Sequence, residues 1–319
     1  MLGEAPGPAD GHGRSAGVTR REFLAGVAVF GAAALAGCGR GGVPTVRLAA
    51  GEVGGFYHAF TQLLAAAAAE AGTVRIEPVT TGGSLANLEL LARGHADAAL
   101  ALADSVALVG GQLTAIGRVY ENYLQMAVRA DGPITTVAGL RGARISVGAP
   151  GSGATHTGER LLRAAGLDPG IDVAVTHLAL RDAVAAIADG SADALLWAGG
   201  VPTGVLDVPR TLRLIDLGGL AQPMRDRFGY LYDRVVIPAD TYPHSPAVPT
   251  IGVANLLVTT PALPADTADA LTDLLLTRAD DLVPDAAAGT QFLDARSLIS
   301  TNNIPLHPGA ARVYRRYHG

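Results

Sequence analysis

Four glycine-rich segments of this chain carry residue types that can bind a small anion without a cationic side chain. Backbone N–H groups at a helix start lack an internal partner and lie at the positive end of the helix dipole. Glycine there lets a ligand come close to the main chain. Donors of this kind predict charge-assisted hydrogen bonds to a carboxylate, with Tyr57 and Trp197 as walls of the site. The candidate ligand contacts are Gly54, Gly55, Phe56 and Tyr57; Gly83, Ser84 and Asn87; Ser152, Gly153 and Thr155; and Trp197 and Gly199.

The third segment has part of a phosphate-binding loop. Residues 148–155 fit the frame Gly-x-x-x-x-Gly-x-Thr, but Ala154 stands where the lysine is required, and the chain contains no lysine. Nucleotide hydrolysis is therefore excluded, whereas anion binding at a helix start is not. Valine in place of Ser84 and Ser152 is expected to abolish binding and leave the fold intact.

The pattern of strands and helices that positions these segments occurs twice in the sequence, about 97 positions apart. The first copy predicts strand 46–50, helix 56–71, strand 74–79, helix 84–93 and strand 96–103. The second copy predicts strand 143–147, helix 155–165, strand 173–177, helix 182–189 and strand 192–197. Both copies end alike, with Gly94-His-Ala-Asp97 in one and Gly190-Ser-Ala-Asp193 in the other. Two βαβαβ units predict two α/β lobes with a ligand cleft between them.

The first 37 residues are predicted to be a signal peptide. Arg20 and Arg21 form a twin-arginine pattern, and the apolar run 23–35 that follows is too short to cross a bilayer. This run leads into Leu35-Ala36-Gly37-Cys38, which looks like a bacterial lipobox and contains the single cysteine of the chain. Lipidation of Cys38 would anchor the protein to the outer face of the cytoplasmic membrane. The alternative location is the periplasm. The alternative is a free thiol beside a flexible terminus.

The remaining chain divides into a tether and the two lobes. The tether is 38–45, lobe I is 46–130 plus 245–319, and lobe II is 131–244, with crossing segments at 118–129 and 238–249. The formal charge of the whole chain is −5, and no basic run is present, which argues against binding nucleic acid.

Several motifs together resemble the TAXI-type solute receptors of TRAP transporters. They are Gly51-x-x-Gly54-Gly55-x-Tyr57, Thr80-Thr81-Gly82-Gly83-Ser84-x-x-Asn87, Pro150-Gly151-Ser152-Gly153, Thr241-Tyr242-Pro243 and Pro305-Leu306-His307-Pro308-Gly309. The resemblance covers residues 46–318. It implies a type II periplasmic-binding-protein fold, a small solute of the glutamate, glutamine or dicarboxylate class, and a TRAP transporter membrane subunit as partner.

This chain departs from the usual family pattern at three places. Ala50-Gly51-Glu52 stands where the family usually has Thr-Gly-Gly, which removes a hydroxyl and adds a carboxylate. Leu102-Ala103 replaces a polar pair before Asp104, and Ala154 replaces a residue that often bears a hydroxyl. These changes affect the expected ligand and leave the expected fold intact.

Two other functions remain open on the residues alone. An enzyme on the same fold would need a nucleophile with a base, a carboxylate pair or a metal set. The histidines show no metal-ligand spacing, and Ser152 does not lie in a nucleophile-elbow frame. We therefore expect no catalytic residue, no metal and no cofactor. The other alternative is a sensor lipoprotein that binds a solute and signals through a membrane kinase.

Overall fold

A computed structural model of the chain describes residues 42–206, 208, 210–284 and 293–318. The predicted signal peptide, the lipidation site at Cys38 and the first part of the tether lie outside these residues. Within them, no helix is both long enough and apolar enough to cross a membrane.

The described part of the chain forms one mixed sheet with helices packed on it. Its strands are β1 Thr45–Gly51, β2 Arg75–Thr80, β3 Ala98–Leu102, β4 Thr114–Arg129, β5 Arg144–Ser146, β6 Ala174–Thr176, β7 Ala194–Gly199, β8 Leu212–Leu214, β9 Asp233–Ile237 and β10 Val248–Thr259. Its α-helices are α1 Phe56–Ala71, α2 Ser84–Ala92, α3 Ala103–Val109, α4 Gly153–Ala164, α5 Leu180–Ala188, α6 Ala221–Phe228, α7 Ala265–Thr277, α8 Ala295–Leu298 and α9 Pro308–His318.

The strand order shows the predicted duplication. The sheet runs β2-β1-β3-β10-β4-β7-β5-β6, with β8 paired to β4 and β9 paired to β10. The pairs β1–β2, β1–β3, β5–β6 and β5–β7 are parallel, so each copy places its first strand between its second and third. The two parallel units are joined through the antiparallel strands β10 and β4.

In each copy, the same type of ion pair joins the first strand to the residue before the third strand. Arg47 on β1 binds Asp97 through its side chain, and its backbone N–H donates to the same carboxylate. Arg144 on β5 binds Asp193 with the same three hydrogen bonds. The guanidinium lowers the pKa of both carboxyls. The aspartates of the duplicated Gly-x-Ala-Asp sequence therefore fix the third strand of each unit beside its first.

Two large apolar clusters lie on the sheet. The first core contains Phe60 and Leu64 of α1 and Leu271 and Leu275 of α7. The second core includes Leu140, Ile145, Leu161, Met224 and Tyr232, which come from the second copy and the segments on either side of it.

The long strands β4 and β10 run through both cores. Ile116 of β4 packs in the first core, and Met126 of the same strand packs in the second. Val253 of β10 belongs to the second core, and Leu257 belongs to the first. Residues 118–129 lie within β4, and the prolines of 238–249 precede or begin β10. The crossing segments and the lobe boundaries remain predictions.

Several predicted elements differ at their ends. Helix α4 begins at Gly153, two residues earlier than predicted, and α5 begins at Leu180 instead of 182. Residues 264–281 have an amphipathic pattern that predicts one helix, but the α-helix ends at Thr277 and is followed by a 3₁₀ turn at Ala279–Leu282. These shifts are ordinary, because residues at helix ends depend on tertiary contacts that the sequence pattern does not contain.

Candidate functional site

A small cavity of about 40 Å³ lies where three helix starts meet the ends of the central strands. That volume has room for only a few water-sized groups. The loop and helix-start residues that line it are Gly51, Glu52, Gly55, Phe56, Tyr57, Gly82, Gly83, Ser84, Ser152, Gly153 and Ala154. The strand residues that line it are Leu102 of β3, Asn122 of β4, and Trp197, Ala198 and Gly199 of β7.

Most of the predicted contact residues come together at this cavity. Nine of the twelve line it, and they are Gly55, Phe56, Tyr57, Gly83, Ser84, Ser152, Gly153, Trp197 and Gly199. Gly54 instead lines a neighbouring cavity of about 230 Å³ next to the start of α5. This second cavity shares Glu52, Gly55 and Trp197 with the first. The two spaces are therefore adjacent.

Asn87 and Thr155 are not among the residues that line the cavity. The Asn87 side chain is fully buried, accepts from Thr81 Oγ1 and donates to Leu100 O at 2.7 Å. Thr155 Oγ1 donates to Val147 O at 3.2 Å. Both polar groups stabilise the loops that lead into the helices. The sequence pattern predicted them as contacts because it shows residue type and spacing and does not show side-chain direction.

Ser84 is a residue type that often caps helices, but it does not cap its own helix. Gly83 occupies the cap position, and Ser84 is the first residue of α2. The Ser84 hydroxyl instead accepts the Leu102 N–H at 3.1 Å and bonds Tyr57 Oη at 3.0 Å. Valine at position 84 would therefore leave a buried donor unpaired, which destabilises the protein as well as changing the cavity.

Glycines allow the starts of α2 and α4 to touch. A Cβ atom on Gly82 would lie 2.2 Å from the Pro150 carbonyl oxygen, and one on Gly83 would lie 3.0 Å from Ser152 Cα. The Ala86 N–H donates to Gly151 O at 3.0 Å across this contact. We call this region, residues 82–86 with 150–153, the glycine junction. It brings two helix N-termini to one side of the cavity.

The cavity contains donors but no positively charged side chain among the described residues that line it. Residues at the starts of α1, α2 and α4 line it, and the first backbone N–H groups of a helix have no partner within that helix. One of these groups, the Ala86 N–H, donates to Gly151 O across the glycine junction. Ser152, at the cap position of α4, makes no capping hydrogen bond and approaches Thr155 Oγ1 only at 3.5 Å. This leaves its hydroxyl able to donate to a ligand.

Glu52 is the charged residue of the cavity lining. Burial raises the pKa of its carboxyl and the nearby Asp182 carboxylate raises it further, while a hydrogen bond from the Leu180 N–H acts in the opposite direction. The carboxylate thus reaches the first residue of α5, in the second copy of the repeat. Its Oε1 atom is buried and has no hydrogen-bonding partner among the described residues.

Aromatic rings form one wall. Phe56 and Tyr57 line the cavity, and both rings pack against Tyr120, at centroid distances of 4.6 and 6.2 Å. Burial raises the pKa of the Tyr57 and Tyr120 hydroxyls, so both remain protonated. Trp197 lies near Gly55 on another side of the cavity, mostly buried.

The fourth predicted segment differs from the other three. Trp197 and Gly199 belong to strand β7, and among the described residues the next regular element is β8, not a helix. The prediction of a helix start there is wrong. The segment contributes strand β7, which lies between β4 and β5 within the sheet, and the Trp197 ring to the cavity.

Sequence reasoning missed Asn122. Its side chain is 2% exposed, lines the cavity and donates to Ala198 O at 3.4 Å, while its Oδ1 atom has no partner among the described residues. An amide within a long, mostly buried strand was a detectable signal, because such a position normally takes an apolar residue.

The described residues do not bring together the groups typical of a metal site or of a hydrolase. No group of three or more His, Cys, Asp or Glu side chains in them could hold a metal ion. The Ser152 hydroxyl lies 3.5 Å from the Thr155 hydroxyl. His177 Nδ1 lies 3.5 Å from Thr155 Oγ1 and makes no hydrogen bond to Ser152. This geometry lacks the nucleophile–base pair of a hydrolase.

Comparison with known families agrees with this architecture. Residues 48–316 match the NMT1-like family. The chain belongs to the NMT1-like family. Similar solved structures include a protein from Bordetella bronchiseptica RB50, which is 17% identical with a TM-score of 0.52 over 86% of this chain and 98% of that chain. A protein from Archaeoglobus fulgidus is 13% identical, with a TM-score of 0.50 over 86% of this chain and 95% of that chain.

The periplasmic aliphatic sulphonate binding protein SsuA from Escherichia coli is also similar to this NMT1-like chain. It is 16% identical, with a TM-score of 0.45 over 86% of this chain and 83% of that chain. At such identities the likeness concerns the fold alone. The predicted α/β periplasmic-binding-protein fold is confirmed.

The glycine junction gives a first prediction. Gly82→Ala places a Cβ against the Pro150 carbonyl, so the starts of α2 and α4 must move apart and weaken the hydrogen bond from Ala86 to Gly151. We expect faster hydrogen exchange in the peptide that contains Ala86. Gly204→Ala is the control, because a Cβ there meets no atom within 4 Å. Unchanged protection in the Gly82 variant would show that the junction tolerates a side chain.

Glu52 gives a second prediction. A carboxyl whose pKa is raised on folding favours the folded state at low pH, and this contribution is lost as pH rises from the unfolded toward the folded pKa. Glutamine imitates the protonated carboxyl at every pH. Glu52→Gln should therefore melt higher than the parent at pH 7, on the order of 1 °C because the side chain is half exposed. Calorimetry should show the difference vanishing near about pH 4, and a difference that grows toward low pH would contradict the assignment.

Proposed function

We propose that this protein is an extracytoplasmic, lipid-anchored receptor that captures a small carboxylate-bearing solute for a membrane transporter. The periplasmic-binding-protein fold and the NMT1-like family support a solute-binding role. The lipobox at Cys38 supports anchoring outside the cytoplasm.

The observation that carries this proposal is the convergence of three helix N-termini on one cavity. Each helix end contributes about half a positive charge and several free N–H donors. Together they can bind a carboxylate in a space where the lining residues offer no arginine or lysine. This is how many proteins bind anions with their main chain alone.

The size of the cavity restricts the solute. About 40 Å³ accommodates a molecule of a few carbon atoms, and the adjacent cavity beside α5 extends the available space on the side of Glu52. Buried walls of glycine, phenylalanine and tryptophan exclude bulky or heavily hydroxylated molecules such as sugars. Short carboxylic acids and small amino acids fit these limits.

The finer assignment follows the sequence motifs. The resemblance of the helix-start segments to TAXI-type receptors supports a TRAP-type transporter as the partner and a solute of the glutamate, glutamine or dicarboxylate class. The presence of Glu52 in the cavity lining sets this chain apart from the usual pattern of that family.

Thermal unfolding with a ligand panel tests the proposal. The panel contains short monocarboxylates, dicarboxylates, 2-oxoacids, amino acids and sugars. A solute at about 100 times its dissociation constant adds about 2.7 kcal/mol to stability, which is easily measured as a higher melting temperature. We expect stabilisation by one or more small carboxylates and none by sugars. Stabilisation by sugars alone would contradict the proposed site.

Two variants on α4 locate the binding contact. Ser152→Ala removes the hydroxyl that has no strong partner in the protein, so affinity should fall about ten- to a hundredfold. Thr155→Val removes a hydroxyl that donates to Val147 O, so affinity should stay the same while stability falls slightly. Equal losses in both variants would mean that the carboxylate lies elsewhere.

Anchoring is tested separately. Cys38→Ala removes the only thiol of the chain and with it the predicted lipid attachment. In a bacterial host that processes lipoproteins, the parent should be found in the membrane fraction and should incorporate labelled palmitate. The variant should lose the label and no longer be anchored. Labelling of the variant would disprove lipidation at this residue.

A further inference from the structure

A row of polar side chains lies beneath the cavity on strands that are otherwise apolar. Tyr120, Asn122 and Asn255 are 3%, 2% and 0% exposed. Four of their polar atoms have no hydrogen-bonding partner among the described residues: Tyr120 Oη, Asn122 Oδ1, and both Oδ1 and Nδ2 of Asn255. Buried polar groups are nearly always paired in folded proteins, and three neighbouring exceptions call for a common explanation.

Strand register places these side chains on one face of the sheet. Asn255 on β10 lies opposite Leu102 of β3 and Tyr120 of β4, and Val253 lies opposite Asn122. Alternate residues of a strand share a face, so Tyr120 and Asn122 point the same way as Asn255 and Val253.

That face is the cavity side. Leu102 and Asn122 line the cavity, and the Tyr120 ring packs on Phe56 and Tyr57, which line it as well. The neighbouring residues Ala254 and Leu256 belong to a separate apolar cluster under α2 and α3. The three polar side chains therefore form a polar floor under the cavity, at the level where the first and second cores meet.

The charges around the cavity favour a solute with a single carboxylate. Three helix ends supply roughly half a positive charge each, and Glu52 contributes a negative charge to the lining. A second carboxylate in this cavity would be buried without a cation in the lining, because Arg181 lines only the neighbouring cavity, where Asp182 and Glu52 also lie. Of the solute classes proposed above, those with two carboxylates are therefore disfavoured. The second polar group of the solute is better neutral.

The floor also defines what kind of neutral group fits. The two Oδ1 atoms accept hydrogen bonds, Asn255 Nδ2 donates them, and the Tyr120 hydroxyl does both. A carboxylate cannot donate and an ammonium cannot accept, so neither satisfies this set. A hydroxyl or a primary carboxamide both donates and accepts.

We propose that Asn122, which lines the cavity, binds a neutral hydroxyl or carboxamide group of a short monocarboxylate whose carboxylate lies at the helix starts, and that Tyr120 and Asn255, which lie on the same face of the sheet behind the lining, complete the polar surroundings of that group. This assignment rests on the proposed receptor function of the same cavity and names its solute class. The polar floor then determines selectivity, and the helix starts provide the charge recognition.

Titration calorimetry with two isosteric pairs of probes tests the assignment on the purified chain. 3-Hydroxypropionate and butyrate differ by a hydroxyl in place of a methyl group. Malonamate and malonate differ by a carboxamide in place of a carboxylate. We expect the hydroxyl or the carboxamide probe to bind at least about tenfold tighter than its isostere, because the isostere leaves buried polar groups unpaired.

Variants of the three floor residues test whether these residues cause the preference for the hydroxyl or carboxamide probe. Asn122→Leu and Asn255→Leu should reduce the preference to about twofold or less, since leucine neither donates nor accepts. Tyr120→Phe keeps the ring and its packing, and should reduce the preference severalfold. Thr61→Val is the matched control. Its hydroxyl is also fully buried without a partner in the described residues, but Thr61 belongs to α1 and not to the floor strands β4 and β10, so the preference should persist.

The outcomes separate the two proposals. Equal binding within each pair, tighter binding of butyrate and malonate, or an unchanged preference in all three floor variants overturns the polar floor while the receptor function stands. Should the parent protein bind none of the four probes, and no other carboxylate in the thermal panel, both proposals fail together.

Discussion

The close approach of two helix starts at the glycine junction is the constraint on which the site depends. Gly82 lies against the Pro150 carbonyl and Gly83 lies against Ser152 Cα, so a residue without a Cβ is needed at both positions. This contact directs the positive ends of α2 and α4 toward one small space, while α1 enters from a third direction through Phe56 and Tyr57. Larger residues at the junction would separate these ends, and the sum of their partial charges at one point would be lost. The proposed anion recognition thus depends on backbone proximity.

Much of the architecture could be predicted from the sequence because the fold repeats a local pattern. The strand–helix–strand order, the glycine turns and the Gly-x-Ala-Asp endings occur twice, and each ending places an aspartate where an arginine of the first strand can bind it. Periodicity and turn residues act over short distances, so they can be read without knowing the tertiary structure. Helix ends were less predictable, as at α4 and α5, because their first residues are fixed by contacts with the other half of the molecule.

Individual side chains at the site were harder to predict, since the same residue type can serve a ligand or the protein itself. Ser84, Asn87 and Thr155 all have hydroxyl or amide groups near a helix start. In the structure these groups bind Leu102 N, Leu100 O and Val147 O. The polar floor was missed for the opposite reason. Asn122 and Asn255 lie more than 130 positions apart, and only the pairing of β4 with β10 brings their strands together.

A hydrogen-bond network around Asp104 joins the two copies of the repeat away from the glycine junction. Asp104, which is fully buried just after β3, accepts hydrogen bonds from Thr157 Oγ1 at 2.7 Å and from Tyr232 Oη at 3.0 Å. Tyr232 in turn accepts from Arg160 Nη1 at 2.8 Å. Leaving a buried carboxylate without its hydrogen bonds costs more than leaving a neutral group without them. The glycine junction is held mainly by backbone contacts and one hydrogen bond from Ala86 to Gly151. The two copies of the repeat are therefore joined at two places, by side-chain hydrogen bonds at Asp104 and by close backbone contact at the junction.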